Sequence, residues 1–339
     1  MKKIKILFFI LICSLAFSVD KKTLEYWEKT MKFGISSQRS GVIKSIEDKK
    51  ATEAYFLIEE ALLNDPNPDV RGSAVYSLIN LKINREELWL KALERELNSD
   101  VLRKIVYGIG ELKIKGASSR LYPLLMSKIT NRKETDLCST IIRTIGILEY
   151  KEENDNIVAI LTNIEYNNDI RSSAALCLGY INDSKNIPVL SSILENPGES
   201  RELRMYSAFA IGKTGDPQAI PILTPYIENE REDLNIRLWA VAGLSYVNAP
   251  GVFEKLILFT KTDNTKVRIE AIRALGRLSN NPDAIELLKY KAKYDPEPAV
   301  QKEAINALKK LGIDIEKLKK EESSSSTSSI QSSLTNAKN

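Results

Sequence analysis

Glycine, lysine and threonine stand in a row at 212–214, and a Gly-Lys-Thr run of this kind ends the loops that cradle nucleotide phosphates. Such a loop needs another glycine five residues earlier, where backbone N–H groups converge on the phosphate, and that position holds Ser207. The run carries no phosphate chemistry. Cys138 and Cys177 are nucleophiles by type, but a thiol or hydroxyl nucleophile is activated by a neighbouring base, and the sequence has no histidine. The same absence removes the HExxH zinc site and the usual proton shuttle near neutral pH. Acidic pairs such as Glu59-Glu60 and Glu152-Glu153 read as solvated surface, so no general acid or base can be nominated. No catalytic residue, metal set or cofactor is expected. Two mature cysteines are also too few for a disulfide-built fold; a bridge between them is the lesser reading, and buried small hydrophobes the greater.

What the sequence does place at regular intervals is arginine. Arg71, Leu102, Cys138, Arg171, Arg204, Arg237, Arg268 and Gln301 occupy equivalent places, separated by 31 to 36 residues, a period that marks a helical array. The residue before each of these anchors is apolar in every copy, from Val70 to Val300. Three residues after it stand Ala74, Ile105, Ile141, Ala174, Ser207, Ala240, Ala271 and Ala304; seven after it, Leu78, Ile109, Ile145, Leu178, Ile211, Leu244, Leu275 and Leu308. At about 100° per residue these slots share one face of a helix. Eight past the anchor come Gly110, Gly146, Gly179, Gly212 and Gly276, where a neighbouring helix is expected to pass too close for a side chain. A second, more variable helix lies between, as in "SKNIPVLSSIL" (184–194) and "DPQAIPILTPYI" (216–227). Asp216 with Pro217 and Asn281 with Pro282 read as helix starts, while Pro188 and Pro221 predict kinks farther in. The 36-residue interval before Cys138 predicts an irregularity near 113–136.

The "DVR" of 69–71 with its following Ala74 and Leu78, "DIRSSAALCLGYI" (169–181), "DPQAIPIL" (216–223) and "KVRIEAIRALGRL" (266–278) resemble the HEAT-repeat family, in the short form also described as bilin-lyase-like. The resemblance covers roughly residues 50–312. It implies an all-α, right-handed α-solenoid of about eight to nine helix-turn-helix repeats, in which the second helices line a concave side. It also implies a structural role for Arg71, Arg171, Arg204, Arg237 and Arg268, which with acids such as Asp69 and Asp169 would tie neighbouring repeats together. It does not imply one function, because such repeats serve unrelated tasks.

The ends differ from the array. "MKKIKILFFILICSLAFSVD" has a basic start, an apolar run and small residues, the plan of a secretory signal peptide over 1–18 cleaved after Ser18; a lipoprotein at Cys13 is the rival reading, disfavoured by Ile12. An exported bacterial member of the family is expected, periplasmic or envelope-associated. Residues 19–49 read as N-terminal capping helices, 50–318 as the array, and 319–339 as a Ser-rich tail that will not fold. The formal charge of +4 falls to +1 without Lys2, Lys3 and Lys5, because 46 basic residues then face 45 acidic ones. A near-neutral surface argues against nucleic acid as partner. No membrane span is expected in the mature chain, and the oligomeric state is unknown.

The outward slots of each second helix lie one, two, five and nine residues past the anchor. Most copies are polar there, with Arg103, Lys104, Glu111, Arg143, Glu270, Arg273, Arg277, Lys302, Glu303 and Lys310. The middle copies are not: Leu176 and Tyr180, then Met205, Tyr206, Phe209 and Lys213, then Leu238, Trp239 and Tyr246. Tyr76 and Tyr107 extend this face less densely. Exposed aromatics in a cluster mark an interface, so Tyr180, Met205, Tyr206, Phe209, Lys213, Trp239 and Tyr246 are the candidate site for a protein or peptide partner. The competing readings are a patch covered by curvature or by the tail, an envelope-structural role, and a HEAT-type lyase or enzyme accessory.

Overall fold

The computed structural model describes residues 19–249, 251–278 and 281–313. The signal segment with Cys13 and the 319–339 tail lie outside the described residues. Among these residues there are 18 α-helices and no strand, an all-α repeat fold. The chain divides into two compact units, Met1–Cys177 and Leu178–Asn339, each built of helix pairs.

The first unit holds α1 (Lys21–Phe33) with α2 (Ser36–Lys49), α3 (Tyr55–Asn64) with α4 (Pro68–Asn80), α5 (Glu86–Arg95) with α6 (Ser99–Glu111), and α7 (Ser118–Lys128) with α8 (Thr135–Ile147). It also holds α9 (Asn154–Thr162) and most of α10 (Asn168–Ile181), inside which the division falls. The second unit continues with α11 (Ile187–Glu195) and α12 (Arg201–Lys213), α13 (Ala219–Glu228) and α14 (Leu234–Leu244), α15 (Val252–Phe259) and α16 (Thr265–Leu275), and α17 (Pro282–Tyr294) and α18 (Pro298–Lys310).

Every anchor is the fourth residue of the second helix in its pair. Four residues before it stands the helix start, and Asn67, Asn98, Asn167, Ser200, Asp233 and Asn264 there accept from backbone N–H groups of the first turn. Seven residues past the anchor the apolar face ends its last full turn, and its side chains are 0–1% exposed in all eight copies. Burying a Leu or Ile side chain contributes about 1.5–3 kcal/mol, so this repeated face supplies much of the driving force. Eleven past the anchor the backbone turns left-handed at Lys82, Lys113, Glu149, Asn182, Gly215 and Gly312. Asn248, at the same slot, is not among the positive-φ residues, and α14 stops two residues short of where α12 does relative to its anchor.

Arg39 is a further anchor that the sequence pattern did not single out. It is the fourth residue of α2 and stands 32 before Arg71. Its Nε and Nη2 donate to the Asp65 carboxylate at 2.6 and 2.7 Å, and Nη1 donates to the Gly34 carbonyl. Arg71 repeats this with Glu96, at 2.7 and 2.8 Å, while its Nη1 donates to the Asp65 carbonyl. Arg171 donates to the Leu161 carbonyl at 2.9 Å. In the second unit Arg204 donates to the Leu194 carbonyl and pairs with Glu232, Arg237 donates to the Ile227 carbonyl, and Arg268 donates to the Thr262 and Asp263 carbonyls 3.7 Å from Asp295. The carbonyl acceptors close the first helix of the arginine's own pair. The carboxylates of Asp65, Glu96 and Asp295 close the first helix of the next pair, and Glu232 lies in the turn just past it. The acids are therefore not the ones two residues ahead of the anchor: Asp69 and Asp169 lie in the first turns of α4 and α10, where they favour the positive helix end. Burial pushes the Glu96 carboxyl up, but the Arg71 guanidinium and the Asn98 and Leu97 N–H groups outweigh it and hold it below its ordinary value.

Three local expectations change. Pro188 sits in the first turn of α11 and Pro221 in that of α13, because both helices begin later than the sequence suggests. Asp216 accordingly caps a turn ahead of α13, accepting from Gln218 N–H, while Asn281 with Pro282 does start α17. The prolines inside helices are Pro123 and Pro225. The long interval before Cys138 is taken up by a 3₁₀ turn at Arg132–Glu134 ahead of α8.

Candidate functional site

The close approach of α12 and α14 brings the aromatic residues together. A Cβ on Gly212 would meet the Gly243 carbonyl carbon at 2.2 Å and its oxygen at 2.5 Å, so the two backbones touch at this point. Side chains on the outward slots of the two helices are then forced side by side. Tyr206 meets Trp239 with centroids 5.1 Å apart and planes at 80°, and Phe209 meets Trp239 at 5.2 Å and 83°. Phe209 also meets Tyr246 at 5.7 Å and 88°. All three are edge-to-face contacts, the arrangement in which the positive ring edge meets the negative face.

Burial within the cluster is uneven. Phe209 is only 7% exposed, and the expectation that it contributes surface is corrected: it lies under Trp239 and Tyr246 and holds both rings in place. Met205, Tyr206, Lys213 and Trp239 are half-buried, as is Tyr180, and Tyr246 is exposed. The other tryptophans, Trp27 and Trp89, are core residues, so Trp239 stands apart from them. The outward slots thus form a continuous aromatic surface, part covered by its own members. In the first unit Tyr76 and Tyr107 are both exposed, with Lys104 Nζ 5.6 Å from the Tyr76 ring.

Cations interleave the rings. Lys213 Nζ lies 3.7 Å from the Tyr246 centroid and 5.3 Å from that of Tyr180, and the Arg277 guanidinium lies 5.2 Å from Tyr246. Such contacts contribute roughly 0.5–1 kcal/mol each at exposed sites. Arg277 carried no weight in the sequence pattern beyond that of one polar residue among many. The slot nine past the anchor would have found it, since Tyr180, Lys213, Tyr246 and Arg277 all occupy it.

Among the described residues the buried carboxylates are Asp65 and Asp295, engaged by Arg39 and by Lys291 with Arg268, and not members of the aromatic cluster. No group of three His, Cys, Asp or Glu side chains among the described residues could hold a metal ion. Cys138 and Cys177 are buried free thiols. Burial, with a smaller contribution from Glu134, pushes the Cys138 thiol up to about 11, and burial pushes Cys177 up further, so neither is a ready thiolate. Among the described residues no helix is long and apolar enough to cross a membrane.

The family model for HEAT repeats matches residues 154–245 and 253–324. No curated protein matches the chain. Among solved structures, human deoxyhypusine hydroxylase in complex with glycerol shares 16% identity over 76% of this chain and 95% of its own, with a TM-score of 0.33. The complex of CpcE and CpcF of phycocyanin lyase from Nostoc shares 18% over 67% of this chain and 94% of its own, with a TM-score of 0.44. Kap121p bound to Nup53p shares 14% over 88% of this chain and 38% of its own, with a TM-score of 0.43. None of these three likenesses bears on activity. The family match covers the stretch that carries Tyr180, Tyr206 and Trp239, and the paired helices described within it are of the HEAT-repeat kind.

Proposed function

We propose that the chain is an exported, non-catalytic scaffold that binds an extended segment of a protein partner on the aromatic surface of α10, α12 and α14. The observation that carries this reading is the cluster of Tyr206, Trp239 and Tyr246, large rings left partly in water while the remaining tryptophans are buried. Rings of this kind supply contact area at low ordering cost, and binding energy concentrates in a few of them. They are fixed before any partner arrives, since the helices carrying them meet backbone to backbone at Gly212 and Gly243. The export half of the reading rests on the basic-apolar-small pattern of the first eighteen residues.

The test is affinity capture from envelope extract by the immobilised full chain beside Tyr206→Ala/Trp239→Ala, each checked for helical content and melting. Loss of two large rings from an interface centre costs roughly 2–4 kcal/mol each, so a partner band retained by the parent should vanish with the folded double variant. Equal retention by both would move the site elsewhere. Unfolding of the variant would assign the rings to the core and sink the reading.

A further inference from the structure

The slot nine residues past the anchor alternates ring and cation through four successive pairs: Tyr180, Lys213, Tyr246, Arg277. The side chains stack in that order, Lys213 between two tyrosine rings and Arg277 on the far side of Tyr246. Beside them, the outward slots of α12 and α14 hold Met205, Tyr206, Phe209, Leu238, Trp239 and Ala242, with no carboxylate. Two acids stand in the adjoining turns: Asp183 pairs with Lys185 at 3.7 Å, and Asp216 accepts from Gln218 N–H and keeps its charge. On α16 the carboxylate of Glu270 is paired with Arg273. Arg277 itself is exposed, and its one hydrogen bond among the described residues runs from Nη1 to Ser245 Oγ at 2.6 Å. A guanidinium has five N–H donors, and this bond uses one of them.

An opening of about 520 Å³ lies against Tyr246 and Arg277, walled by Val247, Asn248 and Phe253. It occurs where the turn after α14 abandons the left-handed step seen at the matching slots of Asn182 and Gly215. The space combines an apolar wall, an exposed ring and one exposed guanidinium. The C-terminal ends of α12 and α14 each add roughly half a negative charge, screened within a turn, and the two full cations outweigh them.

Resting on the binding surface proposed above, we infer that the partner segment is an extended peptide of acidic–aromatic character. Its aromatic side chain packs on Tyr206 and Trp239, and a carboxylate beyond it pairs with Arg277 in the opening. Charge complementarity and the bidentate fit of guanidinium to carboxylate decide the sign. Geometry sets the spacing. Trp239 and Tyr246 are seven residues apart, about 10 Å at 1.5 Å per residue, and Arg277 stands one ring contact farther on. A strand rising about 3.3 Å per residue spans this in roughly three to five residues.

The probes are short labelled peptides with one tryptophan followed, roughly three to five residues on, by glutamates; a twin carries glutamines and a second twin lysines. Each is titrated into the full chain and into Arg277→Gln, which removes an exposed charge from a residue that takes no part in the Tyr206–Trp239 and Phe209–Trp239 contacts. The glutamate peptide should bind about tenfold tighter than its glutamine twin and lose that advantage with rising salt. Arg277→Gln should bring the affinities of the glutamate and glutamine peptides together. Equal binding of glutamate and glutamine peptides, preference for lysine, an advantage that survives Arg277→Gln, or no binding by any peptide would overturn the inference. The scaffold reading is judged separately, by whether the Tyr206→Ala/Trp239→Ala variant still captures its partner.

Discussion

Asp65→Ala is expected to destabilise the first unit by about 3–5 kcal/mol. Asp65 closes the helix that precedes it, is 8% exposed, and receives both Nε and Nη2 of Arg39 and the Asn67 N–H. Its own carbonyl receives Arg71, so one residue joins two successive anchors. Alanine leaves the Arg39 guanidinium largely buried with no carboxylate, and that uncompensated charge, more than the lost attraction, sets the cost. Urea unfolding should therefore show a second signature. Arg39→Met combined with Asp65→Leu removes both charges and should recover most of the loss, because an apolar pair of similar volume needs no desolvation of ions. A double variant as unstable as Asp65→Ala would mean that the Asn67 N–H or the helix end, not the charge pair, is what the aspartate serves.

Gly212→Ala is the second. Alanine is ordinarily the better helix former by about 0.5–1 kcal/mol, yet here its Cβ would stand 2.2 Å from a backbone carbon of Gly243, which cannot swing aside as a side-chain tip would. The two helices must separate by about 1 Å to reach ordinary contact, and forced overpacking of this kind costs typically 1–3 kcal/mol. A net loss of up to about 2 kcal/mol is expected in thermal or urea unfolding. The same displacement pulls Tyr206 and Phe209 from Trp239, so partner capture should fall as well. Gly41→Ala is the internal comparison. It lies within α2 with nothing within 4 Å of a built Cβ, and there the same substitution should stabilise by about 0.5–1 kcal/mol. If both substitutions stabilised, the backbone contact between α12 and α14 would not exist as described.

The contrast between these glycines shows what a sequence can and cannot carry. The slot eight past the anchor announced close packing wherever glycine recurred, because spacing alone fixes which helix face it occupies. It could not rank the contacts, since Gly110 meets side chains, Thr144 at 3.3 Å and Ile147 at 3.7 Å, and Gly212 meets backbone. The helix start at Asn281 with Pro282 was legible; Asn67, Asn98 and Asn264 cap second helices in the same way and were not singled out. The partners of the anchors were not legible. Arg71 reaches Glu96, twenty-five residues on, and only the packing of one pair on the next brings them together. Arg39 escaped for a related reason: the residue before it is Gln38, not the apolar residue found at every other copy. On the surface, angular position told which residues face outward, and seven of them were named. That Phe209 lies beneath its neighbours depends on how closely α12 and α14 approach, a distance that no periodicity contains.

The aromatic surface of the second unit is the centre of the account, and photocrosslinking addresses its location most directly. A photoreactive p-benzoylphenylalanine is placed at Tyr206, and in a separate chain at Tyr290, an exposed ring on α17 that is 56% exposed and belongs to no part of the proposed surface. Irradiation in envelope extract should give one discrete adduct from the Tyr206 position, competed away by unlabelled full chain and missing from the Tyr290 position. An adduct of the same size from both positions, or from Tyr290 alone, would contradict the placement of the partner on α10, α12 and α14.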